Sequence, residues 1–413
     1  MSRTAAAPTT RAEARRLDAS SPLAQLRERF VLPERLVYLD GNSLGVLPRG
    51  VAERVRDVVE NEWGRDLIRS WNTAGWIDLP ARTGAKIARL VGAGPDEVVV
   101  TDSTSVNLFK LLVAAARLRP DRRVIVAEPS TFPTDGYIAA SVARTLGLRL
   151  RWCDPADPLA AVGEDTAVLA LTHVDFRTGA LYDAAAVTAG AHAAGALMLW
   201  DLCHTAGAVP IELDHIDADL AVGCSYKYLN GGPGAPAYCF VARRWQDRID
   251  QPLTGWLGHA DPFGLDRNYR PAGGVGRLRA GTPPVLSLAA LDAALDAFDG
   301  VEVADLRAAS VSLTSLFVDL VRARTDVEVV SPVDPDRRGS QVSLRHPRAY
   351  GVVQALIERG VVGDFRAPDL ARFGMAPMYL RHVDVWDAVD HLVGVLDGRE
   401  YARPTYATRA AVT

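Results

Sequence analysis

Only three lysines, Lys86, Lys110 and Lys227, occur in the 413 residues; the rest of the 46 basic side chains are arginine. Chemistry that needs a primary amine therefore has a short list of candidates. A guanidinium stays protonated, whereas a lysine amine with a lowered pKa attacks carbonyls. Lys86 and Lys110 fall in helix-like stretches, where a lysine solvates an outer face. Lys227 follows the apolar, strand-like run Ala221-Val222-Gly223-Cys224 and precedes the loop Gly231-Gly232-Pro233-Gly234. A strand delivers a side chain to a cleft at such a place, although an ordinary surface lysine beside a loop also fits this position taken alone.

Upstream, Ala196 to Asp201 reads as a buried parallel strand ending in an acid, followed by Leu202-Cys203-His204. An acid at the end of one strand and a lysine near the end of the next is the arrangement that pyridoxal phosphate chemistry requires. The lysine holds the aldehyde as a Schiff base, and the carboxylate keeps the pyridine nitrogen protonated so that the ring accepts electrons.

These residues need a sheet to position them. From Glu97 onward strand-like runs alternate with helix-like ones, the pattern of a parallel sheet covered by helices on both faces. Strands are expected at Glu97 to Thr101, Val124 to Ala127, Leu148 to Trp152, Ala167 to Leu171 and Tyr238 to Val241. Asp102-Ser103-Thr104-Ser105 opens a helix, whose start suits a phosphate but also reads as plain capping. After other strand ends come Phe132-Pro133-Thr134-Asp135, where Phe132 suits stacking on a flat ring, and Thr172-His173. Open α/β sheets bind ligands beyond such strand ends. Trp71 and Trp76, in a loop-like stretch, read as core anchors or as walls of a pocket for a flat substrate.

Length and composition bound the rest. The chain exceeds what one hydrophobic core usually serves, so two domains are expected: a disordered tail over 1–20, an N-terminal segment over 21–60, a large domain over 61–295 and a smaller α+β domain over 296–405. Helices are expected from about Arg49 to Trp63, Val285 to Phe298 and Val352 to Arg359, and strands at Val37 to Asp40, Val327 to Val330 and Gln341 to Leu344. Arg372 is expected in a late turn, where an arginine either binds a carboxylate bidentately or makes a surface salt bridge. Hydrophobic residues at 48% and charged ones at 23% describe a soluble globular protein. A net charge of −4 gives no reason to expect nucleic acid or an anionic membrane as partner, and no apolar run is long enough to span a bilayer. Cys153, Cys203, Cys224 and Cys239 occur singly, as reduced thiols of a cytoplasmic protein would. Cys203 and His204 are neighbours on an extended chain and point to opposite faces, so no metal site is expected.

The ordered motifs Leu39-Asp40-Gly41-Asn42-Ser43-Leu44-Gly45, Ser105-Val106-Asn107-Leu108, Phe132-Pro133-Thr134-Asp135, Trp200-Asp201-Leu202-Cys203-His204 and Ser225-Tyr226-Lys227-Tyr228-Leu229-Asn230-Gly231-Gly232-Pro233-Gly234 carry a resemblance. From about Val37 to Tyr379 the chain resembles the kynureninase family, within the aspartate-aminotransferase superfamily of pyridoxal phosphate enzymes. The resemblance implies fold type I and hydrolysis of L-kynurenine or 3-hydroxykynurenine to L-alanine and the matching anthranilate. It implies that Lys227 carries the cofactor, with Tyr226 as an acid and Asp201 on the pyridine nitrogen. Phe132, within the Phe132-Pro133-Thr134-Asp135 segment, stacks on the ring; Thr104, Ser105 and Tyr226 surround the phosphate; Thr172 and His204 complete the shell. Arg372 grips the substrate α-carboxylate, with Asn42 and Trp71 on the substrate side. Trp256 and Thr282 reach the phosphate of a neighbouring subunit, which implies a homodimer. Family members often carry Asn where this chain has Thr282, a departure that bears on ring preference. Three rivals are a cysteine desulfurase, which needs a mobile cysteine late in the chain where none follows Cys239, a class V aminotransferase, and a non-catalytic cofactor-binding regulator.

Overall fold

The computed structural model describes residues 10–410. Strand β1 (Val37–Tyr38) is followed by β2 (Val98–Val100), β3 (Val124–Ala127), β4 (Arg149–Trp152), β5 (Thr166–Thr172), β6 (Leu197–Asp201), β7 (Leu220–Gly223) and β8 (Tyr238–Val241). The last seven form one sheet in the order β2-β8-β7-β6-β5-β3-β4. Only β8 runs against its neighbours. The central strands are near-continuous runs of Val, Leu, Ile and Ala, buried throughout, as strands covered by helices on both faces must be. Because the parallel strands share a direction, the segments after β2, β3, β5, β6 and β7 gather at one edge of the sheet. That edge is where the motifs lie.

The later strands are β9 (Glu328–Val329), β10 (Gln341–Arg345), β11 (Val361–Val362), β12 (Asp364–Arg366) and β13 (Leu370–Gly374). Four of these make an antiparallel sheet in the order β12-β13-β10-β9, while β11 pairs in parallel with β1. Arg372 therefore sits in a paired central strand and not in a turn, directly opposite Asp364 of β12. Two side chains opposite each other on neighbouring strands share a face, which fixes the encounter of that arginine with that acid.

The helix expected over Val285 to Phe298 is present as Val285–Leu295 with a tighter final turn, Asp296–Phe298. That expected over Arg49 to Trp63 begins at Val51 and widens into a π-helix over Val58–Asp66. Two corrections concern polar residues. Arg11–Ser20, inside the stretch expected to be a disordered tail, is a helix with a Thr10–Glu13 capping box; residues 1–9 lie outside the described residues. Its partners come from the far end of the chain. Arg11 pairs with Asp387, and Asp18 accepts from the backbone N–H groups of His382 and Val383, so local composition gave no sign of order. Lys110, expected on an outer face, is fully buried. Its ammonium pairs with Asp102 and donates to the Leu278 carbonyl at 2.6 Å, partners that a buried lysine requires. Lys86 is partly exposed and pairs with Asp292 and Asp296.

Candidate active site

Lys227 lies four residues past the end of β7, on a loop that needs support. Gly45 gives it: its backbone N–H donates to the Tyr226 carbonyl at 2.7 Å. A Cβ there would meet the Lys227 carbonyl oxygen and come within 2.6 Å of Asn230 Cα, an approach only glycine allows. Asn230, itself at φ 58°, closes the support by accepting from the Val46 N–H and donating to the Tyr228 carbonyl. The Leu39 to Gly45 motif is thus the platform on which the lysine loop rests.

The side chain enters a cavity of about 210 Å³ lined by residues from both sheets. Nζ of Lys227 lies 2.9 Å from His204 Nε2. Burial, followed by the charge of Lys227, pushes the His204 imidazole well below its ordinary range; as a neutral ring it accepts from the ammonium. At the end of β6, Asp201 accepts from the Thr172 hydroxyl at 3.2 Å and from the Cys203 N–H at 2.7 Å. Burial drives the nearby Asp135 carboxyl well up, and the charge of Asp201 and the hydrogen bond between the two acids add to it. The shift favours the protonated form of Asp135 beside Asp201. The neighbouring Cys224 sulfur and then burial push the Tyr226 hydroxyl far above its usual value, so it remains a proton donor at neutral pH.

Thr104 and Ser105 begin the helix Thr104–Leu118, capped by Ser103. The positive end of that helix and two hydroxyls face the cavity, a donor set for a phosphate. The turn before it is braced: Asp102 is held at φ 46° while Lys110 pairs with its carboxylate and Asn107 donates to the Thr101 carbonyl at 2.7 Å. Phe132 is half exposed and makes an edge contact with Phe176 at 5.4 Å, which leaves its ring available for stacking. An amine, an acid pair, a phosphate-binding helix start and a stacking ring fit pyridoxal phosphate.

A charge cluster lines the same cavity. The Nε and Nη2 groups of Arg372 donate to Asp364 at 2.7 and 2.5 Å, Nη2 also reaches Ser43 Oγ at 3.1 Å, and Nη1 donates to the Phe176 carbonyl. Burial alone would raise Asp364, but the hydrogen bonds and charge of Arg372 hold it below the usual carboxylate range. Asp40 is pushed up to about 7 by burial and by the charge of Asp364. Asn42, buried, donates towards Gln341 at 3.4 Å.

The cavity thus gathers Asn42, Thr104, Ser105, Phe132, Thr134, Asp135, Thr172, Asp201, His204, Tyr226, Lys227 and Arg372. Four residues named from the sequence stand outside its lining. Pro133 starts the helix Pro133–Leu146, a role suited to its fixed φ. Trp71 packs edge-on against the buried Trp76 at 5.9 Å. Trp256 meets the exposed Phe263, and Thr282 is exposed. Ser43, Phe176, Cys203 and Arg366 also line the cavity, although none was assigned a place in the site from the sequence. The one available signal was for Arg366, an arginine in the same short hairpin as Arg372. Among the described residues no group of side chains could hold a metal ion, and the four cysteines are free and buried.

The architecture is that of fold type I, and the site is one suited to pyridoxal phosphate. Similar solved structures include the cysteine desulfurase of Thermococcus onnurineus NA1, with a TM-score of 0.76 and 17% identity over 91% of this chain and 97% of that one. Another is a mutant of C-DES with glycine covalently linked to its PLP cofactor, with a TM-score of 0.78 and 17% identity over 89% and 98%. At such identities these neighbours speak for the fold alone. Sequence goes further. Residues 306–392 match the family model described as the kynureninase C-terminal domain. Kynureninases of Burkholderia mallei (strain SAVP1) and Pseudomonas fluorescens are 51% and 48% identical over 98% of this chain and their full lengths. The chain belongs to the kynureninase family.

Proposed function

We propose that the protein hydrolyses L-kynurenine, or its 3-hydroxy form, to L-alanine and the corresponding anthranilate, using pyridoxal phosphate held by Lys227. The observation that carries this reading is that a single cavity is lined by the lysine, the Asp135–Asp201 acid pair and two arginines, Arg366 and Arg372. An amine able to carry the cofactor thus shares one cavity with groups able to bind a carboxylate. The bound cofactor supplies a ring that accepts the electron pair released first at Cα and then at Cβ.

The side chains do the rest. Asp201, hydrogen-bonded by Asp135, Thr172 and the Cys203 amide, keeps the ring nitrogen protonated. Thr104 and Ser105 hold the phosphate and Phe132 stacks on the ring. Lys227 Nζ takes the Cα proton, with neutral His204 2.9 Å away as the acceptor that orients it. Water adds to the γ-carbonyl, the Cβ–Cγ bond breaks to leave the aromatic carboxylic acid, Tyr226 donates a proton at Cβ and regains one from the hydrated carbonyl's hydroxyl, and Lys227 returns the proton to Cα to give L-alanine. The arginine cluster anchors the α-carboxylate, so that the bond being broken stays aligned with the ring.

The functional unit in this reading is a homodimer in which Trp256 and Thr282 of each chain serve the other chain's phosphate site. Their exposure, outside the cavity of their own chain, supports it, as does the adjoining exposed apolar surface of Phe263 and Leu265. Four unpaired buried thiols suit a reducing, cytoplasmic setting, and no helix among the described residues is long and apolar enough to cross a membrane.

The test is an assay of the purified protein with L-kynurenine and 3-hydroxykynurenine in turn, identifying alanine among the products. Alanine with an anthranilate is the expected result, and the ratio of the two rates gives the ring preference. A keto acid-dependent reaction without alanine would replace this reading with transamination.

A further inference from the structure

Arg372 cannot hold a carboxylate alone in this structure. A guanidinium has five N–H groups. In Arg372, Nε–H and one Nη2–H go to Asp364, the other Nη2–H to Ser43, and one Nη1–H to the Phe176 carbonyl. A single Nη1–H remains, on a side chain only 1% exposed. The Nε–Nη2 edge, which would grip a carboxylate bidentately, is already filled by Asp364.

Arg366 stands beside it in the cavity wall, on β12. Its Nη2 reaches Asp364 at 2.8 Å and Ser43 Oγ at 3.3 Å, and Nη1 donates to the Phe365 carbonyl at 3.0 Å. Its Nε–H and one Nη1–H have no acceptor among the described residues, and the side chain is 35% exposed, free to meet a ligand. Both guanidiniums converge on Ser43 Oγ, at 3.1 and 3.3 Å. A carboxylate docking beside that point lies within reach of both guanidiniums, whose spare N–H groups are on Nη1 of Arg372 and on Nε and Nη1 of Arg366. Charge points the same way: Asp364 neutralises one guanidinium, and Asp40, the other acid of the cluster, is pushed up to about 7 by burial and by the charge of Asp364, so it offsets the second only in part.

We infer that Arg366 is a second carboxylate-positioning residue, sharing the substrate α-carboxylate with Arg372 while Asp364 locks Arg372 in place. The inference rests on the proposed reading of the cavity as an amino-acid substrate site.

Three substitutions test it: Arg366→Ala, Arg366→Gln, which keeps a donor for Asp364 and Ser43 without the charge, and Arg366→Lys. For Arg366→Ala and Arg366→Gln, KM for L-kynurenine rises about tenfold or more while kcat stays within about threefold, and Arg366→Lys recovers part of the loss. A spectral titration separates carboxylate recognition from damage to the fold: affinity for L-alanine falls in parallel, whereas affinity for ethylamine, which lacks the carboxylate, does not move. An unchanged KM in Arg366→Ala, or an equal loss for ethylamine, overturns the inference. If the wild type fails to hydrolyse L-kynurenine while L-alanine binding still depends on Arg366, the reading of the substrate falls and the inference stands.

Discussion

At the scale of single residues, the three lysines separate chemistry from architecture. Lys227→Ala removes the only lysine that enters the cavity, and turnover and the cofactor's bound absorption band are expected to disappear while the thermal midpoint holds. Lys110→Met does the reverse. It leaves Asp102 without its ammonium, with an expected loss of about 1–3 kcal/mol, moderated by the partial exposure of that acid, and a lower midpoint by calorimetry. Activity of the folded fraction, measured with saturating cofactor, persists. Glu128 offers a pH test. Burial pushes it up to about 7 from 4.5, although a hydrogen bond donated by Tyr182 to one of its oxygens acts the other way. A carboxyl raised on folding favours the protonated state, so its contribution is present below the unfolded value and is lost as pH rises through the folded one. Glu128→Gln is therefore expected to gain about 1–3 kcal/mol on the wild type between pH 5 and pH 8, read as diverging thermal midpoints. Parallel midpoints across that range would show that Glu128 does not titrate there.

At the scale of elements, the lysine loop depends on a segment far upstream. Gly45→Ala drives a methyl into the Lys227 carbonyl and the Asn230 backbone, which displaces Nζ from its place beside His204. A fall in kcat of about tenfold or more is expected, since small misplacements of reacting groups are costly, with cofactor still bound. Unaltered kcat would show that the loop holds its position without the Gly45 platform. The helix Arg11–Ser20 acts at a distance from the site. Removing residues 1–20 deletes the Arg11–Asp387 pair and the Asp18 contacts to the helix at His382, so the midpoint should drop with little change in KM. Element boundaries were legible where the signal was local. Val124 to Ala127 and Tyr238 to Val241 are strands with the expected ends, because a run of apolar residues between polar turns needs no partner to be recognised. The terminal helix was not legible, because the acids and bases that hold it lie more than 360 residues away in the chain.

At the scale of the whole molecule, sharing of sites between two chains gives a complementation test. Lys227→Ala and Trp256→Ala chains are each impaired alone. If each site takes its lysine from one chain and Trp256 from the other, mixed dimers contain one intact site, and random mixing restores about a quarter of wild-type activity by the symmetry of a two-fold interface. No recovery after confirmed subunit exchange would place each complete site within one chain. What the sequence by itself determined was the α/β alternation and the lysine and acid at successive strand ends, set by periodicity and spacing along short stretches, and, through resemblance, the motifs that mark the family. The tertiary structure decided which charged groups share a volume. Lys110 proved to be interior, Trp71 settled against Trp76, and Arg372, opposite Asp364 and 196 residues from Phe176, became a saturated anchor with Arg366 beside it. The physical reason is that a buried charge takes its hydrogen bonds from whatever packing brings within about 3 Å, and packing joins strands and loops that no local pattern relates.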